Sequence, residues 1–579
     1  MNKEEHFDVV VVGAGWNGLI SAATYLKFAP STNLIILDDG STIGGVWSKE
    51  KIYPDLFAQI GHGLFEYSFY PMKKENISKD RYIPGETIHN YLNSFAVDHG
   101  LSMRTRLRNS VTTAEKEDDG WRLTIEGKPD IVCEKLIYAT GATSKPYVPK
   151  WPSEGFTKPV IHSSAVGQNL SALQNISHAT VVGGAKSSYD TVFMLLKAGK
   201  KVDWIIRADG SGPLAIMPPR MFKVFNTVDI MATRAMSKFS PCIMQTKGIW
   251  YRFLQRTKVG RACTKVFWRN VTRIADMHAG YSKSENAAKL RPVPSGYGKW
   301  KEASSDNPPR IFWANAGLGL ASVPHFWKVF HAGDVTVHRA DISRFEADNI
   351  LVLSNGTRIP TDQVILCTGF LPNLTTFSED LRTRYNISSQ LDRSPKAAKL
   401  DALGSQVVDE LLPLLQHPPD TNIAPPTKRP STLYRRLISP AAAAEGDRSV
   451  FFPGLIHSVF TPLVAEFQAL WGVAFMLGLI AVPSEEAMEV EVATWNAWSK
   501  KRYLEQGRKH AYAIYDYLSY IDTLAKDLGI KTNRKGNPIS EMFSPYRPRD
   551  YRGLIDEFLA AQQRDGKVKL DGHSHNSQG

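Results

Sequence analysis

The stretch "FDVVVVGAGWNGLISAATYLKFAP", residues 7–30, contains an apolar run, a glycine-rich turn and an amphipathic helical pattern in direct succession. Its turn has the form GxGxxG. Gly13 permits a tight turn, Gly15 lets the backbone approach a pyrophosphate, and Gly18 allows the helix to pack closely on the strand. Asp38 ends the next apolar run, 20 residues after Gly18, where a carboxylate can accept hydrogen bonds from ribose hydroxyls. The pattern predicts an adenine-dinucleotide site. The carboxylate disfavours a 2′-phosphate there, which leaves FAD or NAD.

A second strand–turn–helix pattern occupies residues 177–207, and its Gly183 stands 170 residues after Gly13. The turn reads Gly-x-Ala-x-x-Ser, in which Ala and Ser are small enough to replace glycines. The following strand ends in an arginine rather than an acid, and an arginine there can pair with a 2′-phosphate. A lysine within the turn adds a second cation. We therefore predict an NADPH site formed by Gly183, Gly184, Ala185, Lys186, Ser187, Ser188 and Arg207.

Strands that alternate with helices predict an α/β fold with parallel sheets covered by helices on both faces. Two such units predict two Rossmann-like dinucleotide-binding domains. The apolar runs that end in Thr-Gly at Gly141 and Gly369 suggest that the second domain is inserted into the first. Residues 380–450 are rich in Pro, Ala and polar residues, and we expect them to form irregular surface. The expected organisation is an FAD-binding domain (1–165) with a return segment (366–483), an NADPH-binding domain (166–365) with a helical insertion (211–310), a C-terminal helical region (484–565) and a disordered tail (566–579).

The composition is that of an ordinary globular protein, with 579 residues of which 43% are hydrophobic and 22% charged. Its four cysteines lie far apart without a CxxC pair, which argues against a disulfide framework or a structural zinc site. The N-terminus has no basic region followed by an apolar run and a cleavage site, so we expect no secretory signal. A cytoplasmic location is the resulting expectation.

The most apolar stretch runs from Val459 to Val482 and is long enough to span a bilayer. Pro462, Glu466 and Gln468 interrupt it, and a carboxylate within a membrane is costly. We therefore expect a buried helix, with a membrane span as the alternative.

Positive charge is concentrated in residues 211–310, which hold 18 Lys and Arg against 5 Asp and Glu. The resulting net charge of +13 equals that of the whole chain. Aromatic residues are interleaved with the basic ones, a pattern found at nucleic-acid and anionic membrane surfaces. The favoured interpretation is a solvated helical insertion that also steers anionic cofactors. A nucleic-acid-binding or membrane-surface protein is the alternative.

Asp38 is followed by Ile43-Gly44-Gly45-Val46-Trp47, whose two glycines let the backbone run close to a flat ligand. This segment resembles the FAD-binding segment of the flavin-containing monooxygenase superfamily, the class B flavoprotein monooxygenases that include Baeyer–Villiger enzymes. The sequence looks closest to fungal members that tailor secondary metabolites. The resemblance covers most of residues 7–480 and continues at Tyr53–Leu56, Glu66–Ser68, Pro71-Met72, Tyr138–Gly141, Leu366–Gly369 and Glu466–Trp471.

The resemblance implies FAD at the first turn and NADPH at the second. Gln59 stands where many relatives carry Asn or Asp near the flavin ring, and it can form hydrogen bonds but cannot act as a base. The residues expected to contact FAD are Gly13, Gly15, Gly18, Asp38, Gly45, Val46, Trp47, Tyr53, Gln59, Val111, Thr140 and Gly141.

Two further residues are candidates for the catalytic machinery together with Gln59. His162 lies in a segment that resembles the family signature FxGxxxHxxx followed by an aromatic residue, with departures at Lys158 and Val166. We expect His162 to be a structural hydrogen-bonding residue in a hinge, with proton transfer as the alternative. Arg220 falls roughly where Baeyer–Villiger relatives keep an arginine that stabilises the flavin peroxide.

The resemblance implies an FAD- and NADPH-dependent monooxygenase that inserts one oxygen atom from O₂ into an apolar natural-product intermediate, such as a polyketide, through a C4a-(hydro)peroxyflavin. Baeyer–Villiger oxidation of a ketone and a non-oxygenating flavin-linked reductase are the alternatives. The expected partners are O₂ and an apolar small molecule, without nucleic acid and without a metal. A peripheral membrane contact through residues 211–310 stays open.

Overall fold

The protein is described by a computed structural model over residues 4–118, 120–208, 212–213, 215–221, 224–292, 310–313, 318–319, 325–419, 430–509 and 511–564. The expected disordered tail, 566–579, lies outside the described residues, as do residues 293–309 of the expected insertion.

The strands are β1 Glu5–Val12, β2 Leu34–Leu37, β3 Thr105–Arg106, β4 Val111–Glu117, β5 Gly120–Ile125, β6 Ile131–Tyr138, β7 Lys145–Pro146, β8 Val160–His162, β9 His178–Val182, β10 Lys201–Ile206, β11 Ala215–Ile216, β12 Arg220–Met221, β13 Phe225–Asn226, β14 Leu318–Gly319, β15 Val335–Arg339, β16 Ile342–Glu346, β17 Ile350–Leu353, β18 Arg358–Pro360, β19 Gln363–Leu366, β20 Phe370–Leu371 and β21 Val450–Phe451.

The helices are α1 Trp16–Phe28, α2 Gly85–Asp98, α3 Leu170–Gln174, α4 Lys186–Lys197, α5 Thr227–Met231, α6 Arg234–Lys238, α7 Ile249–Tyr251, α8 Lys258–Ala279, α9 Glu285–Ala288, α10 Arg310–Trp313, α11 Phe326–Ala332, α12 Glu379–Arg384, α13 Pro395–Leu411, α14 Pro440–Ala444, α15 Thr461–Met476, α16 Glu485–Lys509, α17 Tyr517–Asp527, α18 Pro538–Phe543 and α19 Leu554–Arg564.

The larger sheet has the strand order β3-β2-β1-β6-β5-β4. Its β2, β1 and β6 are parallel, whereas β4 and β5 form an antiparallel hairpin at one edge. β21 pairs in parallel with the C-terminal half of β6, beside that hairpin. Alternate residues of β1 enter two different hydrophobic cores, Val9 and Val11 on one face and Val10 and Val12 on the other. Both faces are therefore covered, as the continuous apolar run predicts.

The smaller sheet has the order β15-β10-β9-β19-β8, and all its pairs are parallel. β8 belongs to it although this strand precedes the expected domain boundary at residue 165. The chain crosses between the sheets at β7, which pairs antiparallel with β20 on the way back. Because the outgoing and returning segments lie side by side, the second Rossmann-like unit is inserted into the first.

The expectation of an irregular surface over residues 380–450 is wrong for part of that range. α13 spans Pro395–Leu411, and Ser394 caps it by accepting a hydrogen bond from Ala397 N. A side chain at Gly404 would lie 2.6 Å from the Ala493 carbonyl oxygen of α16, so the two helices pack in close contact. Proline and alanine suggest an irregular chain in this range. In α13, however, proline occupies the first turn and alanine the interior of the helix.

The segment 211–310 is largely helical where described, as expected, and different parts of it pack on the two units. Residues of α5, α6 and α8 share a hydrophobic core with α1, α15 and the C-terminal helices. The buried guanidinium of Arg234 donates to both carboxylate oxygens of Asp522 in α17, at 2.6 and 3.1 Å, and also binds Glu541 in α18. Residues 227–275 and the C-terminal helical region therefore form one packed unit beside the larger sheet, whereas Tyr281, Ala287 and Leu290 pack in the core of the smaller sheet.

The apolar stretch at 459–482 forms the buried helix α15, with every residue from Pro462 to Met476 buried. No helix in the described part of the chain is long and apolar enough to cross a membrane.

We predict that Arg234→Gln destabilises the protein strongly, since the substitution leaves the buried Asp522 carboxylate without its cation. Breaking a buried ion pair costs about 3–5 kcal/mol, and the thermal unfolding midpoint should fall by several degrees. Arg344→Gln is the matched control, because Arg344 forms an ion pair with Glu346 on the surface, where solvent screening leaves such a pair little effect on stability. Equal midpoints for the two variants would contradict the assignment.

Candidate functional site

The first glycine-rich turn is held by backbone contacts that leave no room for side chains. Gly13 has φ +111° and donates from its N–H to Leu37 O at 2.7 Å. A Cβ on Gly13 would lie 2.6 Å from Ala139 O, and one on Gly18 would lie 1.7 Å from Gly13 O. α1 therefore starts immediately above the ends of β1, β2 and β6, with its N-terminal N–H groups at the C-terminal edge of the sheet.

The second turn repeats this arrangement in the smaller sheet. Gly183 has φ +136°, donates to Ile205 O at 2.9 Å, and packs so that a Cβ would lie 2.3 Å from Cys367 O. At the third position the buried Ser188 donates from Oγ to Ala185 O at 2.7 Å. This turn therefore has the space for a small side chain that the first turn lacks, which explains why its third glycine is dispensable.

Asp38 lies at the end of β2, where it supports the first turn. Its Oδ2 accepts from Ala14 N at 2.6 Å and its Oδ1 from Gly40 N at 2.8 Å. Burial raises the pKa of this carboxyl, and the two backbone N–H donors oppose that effect. An acceptor is thus fixed beside the turn, where a ribose hydroxyl of a dinucleotide would lie.

A cleft of about 970 Å³ joins the two turns. It runs from the C-terminal edge of the larger sheet to the start of α4, and it brings together the majority of the predicted cofactor residues. The predicted residues that line it are Gly13, Gly15, Asp38, Gly45, Val46, Trp47, Tyr53, Gln59, Val111, Thr140, Gly141, Lys186 and Ser187. The predicted residues outside its wall are Gly18, His162, Gly183, Gly184, Ala185, Ser188, Arg207 and Arg220.

The wall of this cleft fits a dinucleotide. Two residues that line it, Trp16 and Asp190, carry a buried polar atom without a hydrogen-bond partner among the described residues, namely Trp16 Nε1 and Asp190 Oδ1. The backbones of Gly15 and Gly45 face each other so closely that a Cβ on Gly45 would lie 3.2 Å from Gly15 Cα. Buried polar groups are normally hydrogen-bonded, so these atoms and the side-chain-free backbone suit a ligand rich in acceptors and donors.

The loop before α15 supplies a part of the wall that sequence analysis missed. Gly454, Ile456, His457, Ser458 and Val459 line the cleft, followed by Thr461 at the first turn of α15. This loop directly precedes the Glu466–Trp471 motif. Its position next to that motif in the sequence could have identified it as part of the site.

The Glu-x-Gln-x-x-Trp motif of α15 holds the surroundings of the cleft in place. Gln468 accepts from Gly454 N at 2.9 Å and donates from Nε2 to Tyr520 OH at 2.7 Å. Glu466 accepts from Ser68 N at 2.8 Å and from Ser68 Oγ at 2.6 Å. Trp471 donates from Nε1 to Asp527 at 2.9 Å. One helix thereby connects the 454–461 loop, the 66–72 segment and the C-terminal helices.

His162 has the environment of a structural histidine. Ser164 N donates to its Nδ1 at 3.2 Å, so the ring proton resides on Nε2, which donates to Gly369 O at 3.0 Å. Desolvation lowers the pKa of the imidazole. His162 therefore joins the end of β8 to the segment that follows β19, close to the crossing between the two units.

Arg220 and Arg207 lie outside the cleft wall. Arg220 donates from Nε to Asp80 Oδ1 at 2.8 Å and from Nη2 to Lys79 O at 3.2 Å. Arg207 is exposed directly after β10, the strand that follows the second turn. The chain geometry therefore gives no support to Arg220 as a residue near the flavin, and the contact of Arg207 with a 2′-phosphate stays a prediction.

Lys186 and Asp190 form an ion pair within the cleft, four residues apart on the first turns of α4. Burial raises the pKa of Asp190 to about 6, and the ammonium of Lys186 opposes that rise. Sequence analysis missed Asp190, although an acid at i+4 from a helical lysine is a recognisable pair.

Glu466 is a further buried carboxyl close to the site. Burial raises its pKa to about 7, while the hydrogen bonds from Ser68 lower it. A group whose pKa is raised in the folded state stabilises that state fully below its ordinary pKa of 4.5, and this contribution is lost as the pH rises through 7.

We predict that Glu466→Gln changes the pH dependence of stability. The amide keeps the shape and can accept from Ser68 N, but it does not ionise. Relative to the wild-type chain, the variant should therefore gain up to about 3 kcal/mol of folding stability between pH 5 and pH 8. Thermal unfolding midpoints across this range measure the effect. Glu126→Gln, at an exposed glutamate, is the control, and parallel profiles for all three proteins would refute the prediction.

Three comparisons relate this chain to known proteins. The family described as pyridine nucleotide-disulphide oxidoreductase matches residues 10–222, a span that contains both glycine-rich turns. The chain is 49% identical to the FAD-dependent monooxygenase DEP4 of Alternaria brassicicola, over 96% of this chain and 95% of that protein. It is 34% identical to the FAD-dependent monooxygenase rstn6 of Aspergillus nomiae NRRL, over 96% of this chain and 98% of that protein.

Among solved structures, the fold resembles that of cyclohexanone monooxygenase from Rhodococcus sp. Phi1 bound to NADP⁺, with a TM-score of 0.55. The match covers 91% of this chain and 98% of that one at 15% identity, so it shows the shared two-domain architecture. The extent and identity of the matches to the fungal proteins confirm the resemblance predicted from the flavin-binding motifs: the chain belongs to the family of FAD-dependent monooxygenases.

Proposed function

We propose that this enzyme oxidises NADPH and inserts one oxygen atom of O₂ into an apolar natural-product intermediate such as a polyketide. The observation that carries the proposal is the single cleft that connects the first glycine-rich turn to Lys186 and Ser187 at the start of α4. A nicotinamide held by the second unit and a flavin held by the first can meet only in such a shared space. Bound FAD supplies the chemistry of hydride acceptance and O₂ activation.

The first unit is assigned to FAD. Gly15, which has no side chain, and the N-terminus of α1 leave backbone N–H groups for the pyrophosphate, and Asp38 provides the acceptor for ribose hydroxyls. α15 begins at Thr461 in the cleft wall, so its positive dipole end suits the negative charge of a reduced flavin. Gln59, also in the wall, can orient the flavin or the substrate by hydrogen bonds.

The second unit is assigned to NADPH. Lys186 uses one of its three N–H donors on Asp190, and the others can bind the nucleotide. Arg207 at the end of β10 is the proposed ligand of the 2′-phosphate. The NADP⁺ complex of the cyclohexanone monooxygenase from Rhodococcus, which shares this fold, supports the assignment. His162 is proposed to keep the hinge between the units aligned by its bond to Gly369 O.

An apolar substrate is inferred from the side chains on the flavin side of the cleft. Trp47, Phe57, Phe65, Ile456 and Ile514 are among the residues that line it. Such a surface binds apolar molecules by burying area and excludes water from the reacting groups. The proposal includes a cytoplasmic location with a peripheral membrane contact through the basic segment 211–310.

Oxygenation is tested with the purified yellow protein, reduced by NADPH and mixed with O₂ while the flavin absorbance is recorded. A transient spectrum of a C4a-(hydro)peroxyflavin before reoxidation is expected. Thioanisole and cyclohexanone serve as probes, since a sulfoxide indicates heteroatom oxygenation and a lactone indicates Baeyer–Villiger chemistry. Immediate reoxidation with stoichiometric release of H₂O₂ and no transient would instead identify a reductase.

We predict that Arg207→Ala raises the KM for NADPH about tenfold to a hundredfold, because a charge-assisted hydrogen bond to phosphate contributes about 1.5–3 kcal/mol. The KM for NADH should stay unchanged, since NADH has no 2′-phosphate. Steady-state flavin reduction measures both. Lys201→Ala is the matched control, because Lys201 is exposed at the opposite end of the same strand. Equal KM values for NADPH in the variant and the wild-type enzyme would rule out the role.

A further inference from the structure

An exposed corner of the insertion, residues 247–266, combines apolar and basic side chains; we call it the basic corner. Ile249 is 78% exposed, Val259 65% and Val266 50%, and the rings of Trp250 and Phe253 are more than two-fifths exposed. Isolated exposed apolar residues need no explanation, but five within one compact supersecondary unit form a patch of the kind that marks an interaction site.

The basic corner is a folded unit. α7 continues into a π-helical turn, Arg252–Arg256, and Gly260 of α8 touches that turn so closely that a Cβ would lie 2.0 Å from Phe253 O. Thr257 caps α8 by accepting from Gly260 N at 3.0 Å. Tyr251 OH donates to Leu411 O of α13 at 2.8 Å, which fixes the corner to the body of the protein. Its apolar side chains are therefore exposed by the fold.

α8 has one buried and one exposed face. Thr264, Trp268, Val271 and Ala275 are buried in the core at helical spacing. On the opposite face, the exposed small and apolar residues of its first two and a half turns form a stripe with two exposed lysines along one edge: Val259, Ala262, Cys263 and Val266, with Lys258 and Lys265. A helix with an outward apolar stripe bordered by basic residues has the pattern of helices that lie in a membrane interface.

The positive charge of the basic corner, together with its apolar side chains, distinguishes between a second copy of the chain, nucleic acid and a membrane as its partner. No Asp or Glu occurs between Asp229 and Asp276, whereas ten Lys and Arg do. Lys247, Arg252, Lys258 and Lys265 of the basic corner are exposed. A second copy of the chain would bring like charges together at this surface. Nucleic acid would leave Ile249, Val259 and Val266 without an apolar environment, whereas an anionic bilayer accommodates both kinds of side chain.

We propose that the basic corner binds the enzyme peripherally to membranes that contain anionic phospholipid. The apolar side chains enter the headgroup and acyl boundary, and the lysines and arginines contact lipid phosphates. Membrane binding would bring the enzyme to an apolar substrate that is dissolved and concentrated in the bilayer. In this respect the inference rests on the proposed function.

The test is flotation of the full-length protein with phosphatidylcholine vesicles, with and without phosphatidylserine. We expect binding that requires phosphatidylserine and falls as salt is added. Arg252→Gln with Lys258→Gln should weaken binding about thirtyfold, somewhat over fivefold for each cation, since a cation at an anionic surface contributes about 1 kcal/mol. Ile249→Ser with Trp250→Ser should weaken it about tenfold or more through lost apolar burial.

Matched controls are Lys73→Gln with Lys74→Gln and the single variant Met103→Ser, which change exposed residues of the same kinds elsewhere. FAD content and NADPH oxidation, measured on every variant, should equal the wild-type values and show that each is folded. Absence of binding to phosphatidylserine vesicles, or unchanged binding by both basic-corner variants, overturns the proposal, as does retention of an RNA oligonucleotide without vesicle binding. Vesicle binding by a protein that does not oxidise NADPH would reject the proposed function and leave this surface assigned.

Discussion

The close approach of a glycine backbone to a neighbouring strand is the constraint on which the site depends. Gly13 packs on the Ala139 carbonyl and Gly183 on the Cys367 carbonyl, and neither position can carry a Cβ. Each contact fixes a helix start above the C-terminal edge of a parallel sheet. Because the inserted unit leaves and returns through paired strands, both helix starts border one cleft. This connection brings two separate glycine-rich turns to one cleft.

Two buried carboxyl groups near the cleft are held in place by the segments that surround it. Glu466 and Asp190 have raised pKa values because burial disfavours their ionised forms, and each is held by a specific partner, Ser68 or Lys186. Such groups cost stability, so their surroundings must supply hydrogen bonds. α15 does so by linking three separate segments to one buried helix, which explains why an acid and an amide interrupt the most apolar stretch of the chain.

Residues 227–275 of the insertion and the C-terminal helices extend the first unit, whereas residues 279–290 pack on the second. Arg234 and Asp522 are 288 residues apart, yet their buried ion pair joins the insertion to α17. A scaffold of this kind can present the basic corner at the surface independently of the cleft. The proposed membrane surface and the proposed substrate site are therefore separate parts of the fold.

The sequence by itself determined the two dinucleotide turns, the α/β class, the buried nature of the 459–482 helix and the monooxygenase family. These depend on short-range patterns, such as glycine spacing and Asp38 after a strand, which dictate local geometry wherever they occur. Only the tertiary structure decided that Arg220 pairs with Asp80 away from the cleft, that His457 and Asp190 line it, and that residues 395–411 form a helix against α16. Those outcomes depend on contacts between residues distant in the chain, and the composition of one segment carries no information about its eventual neighbours.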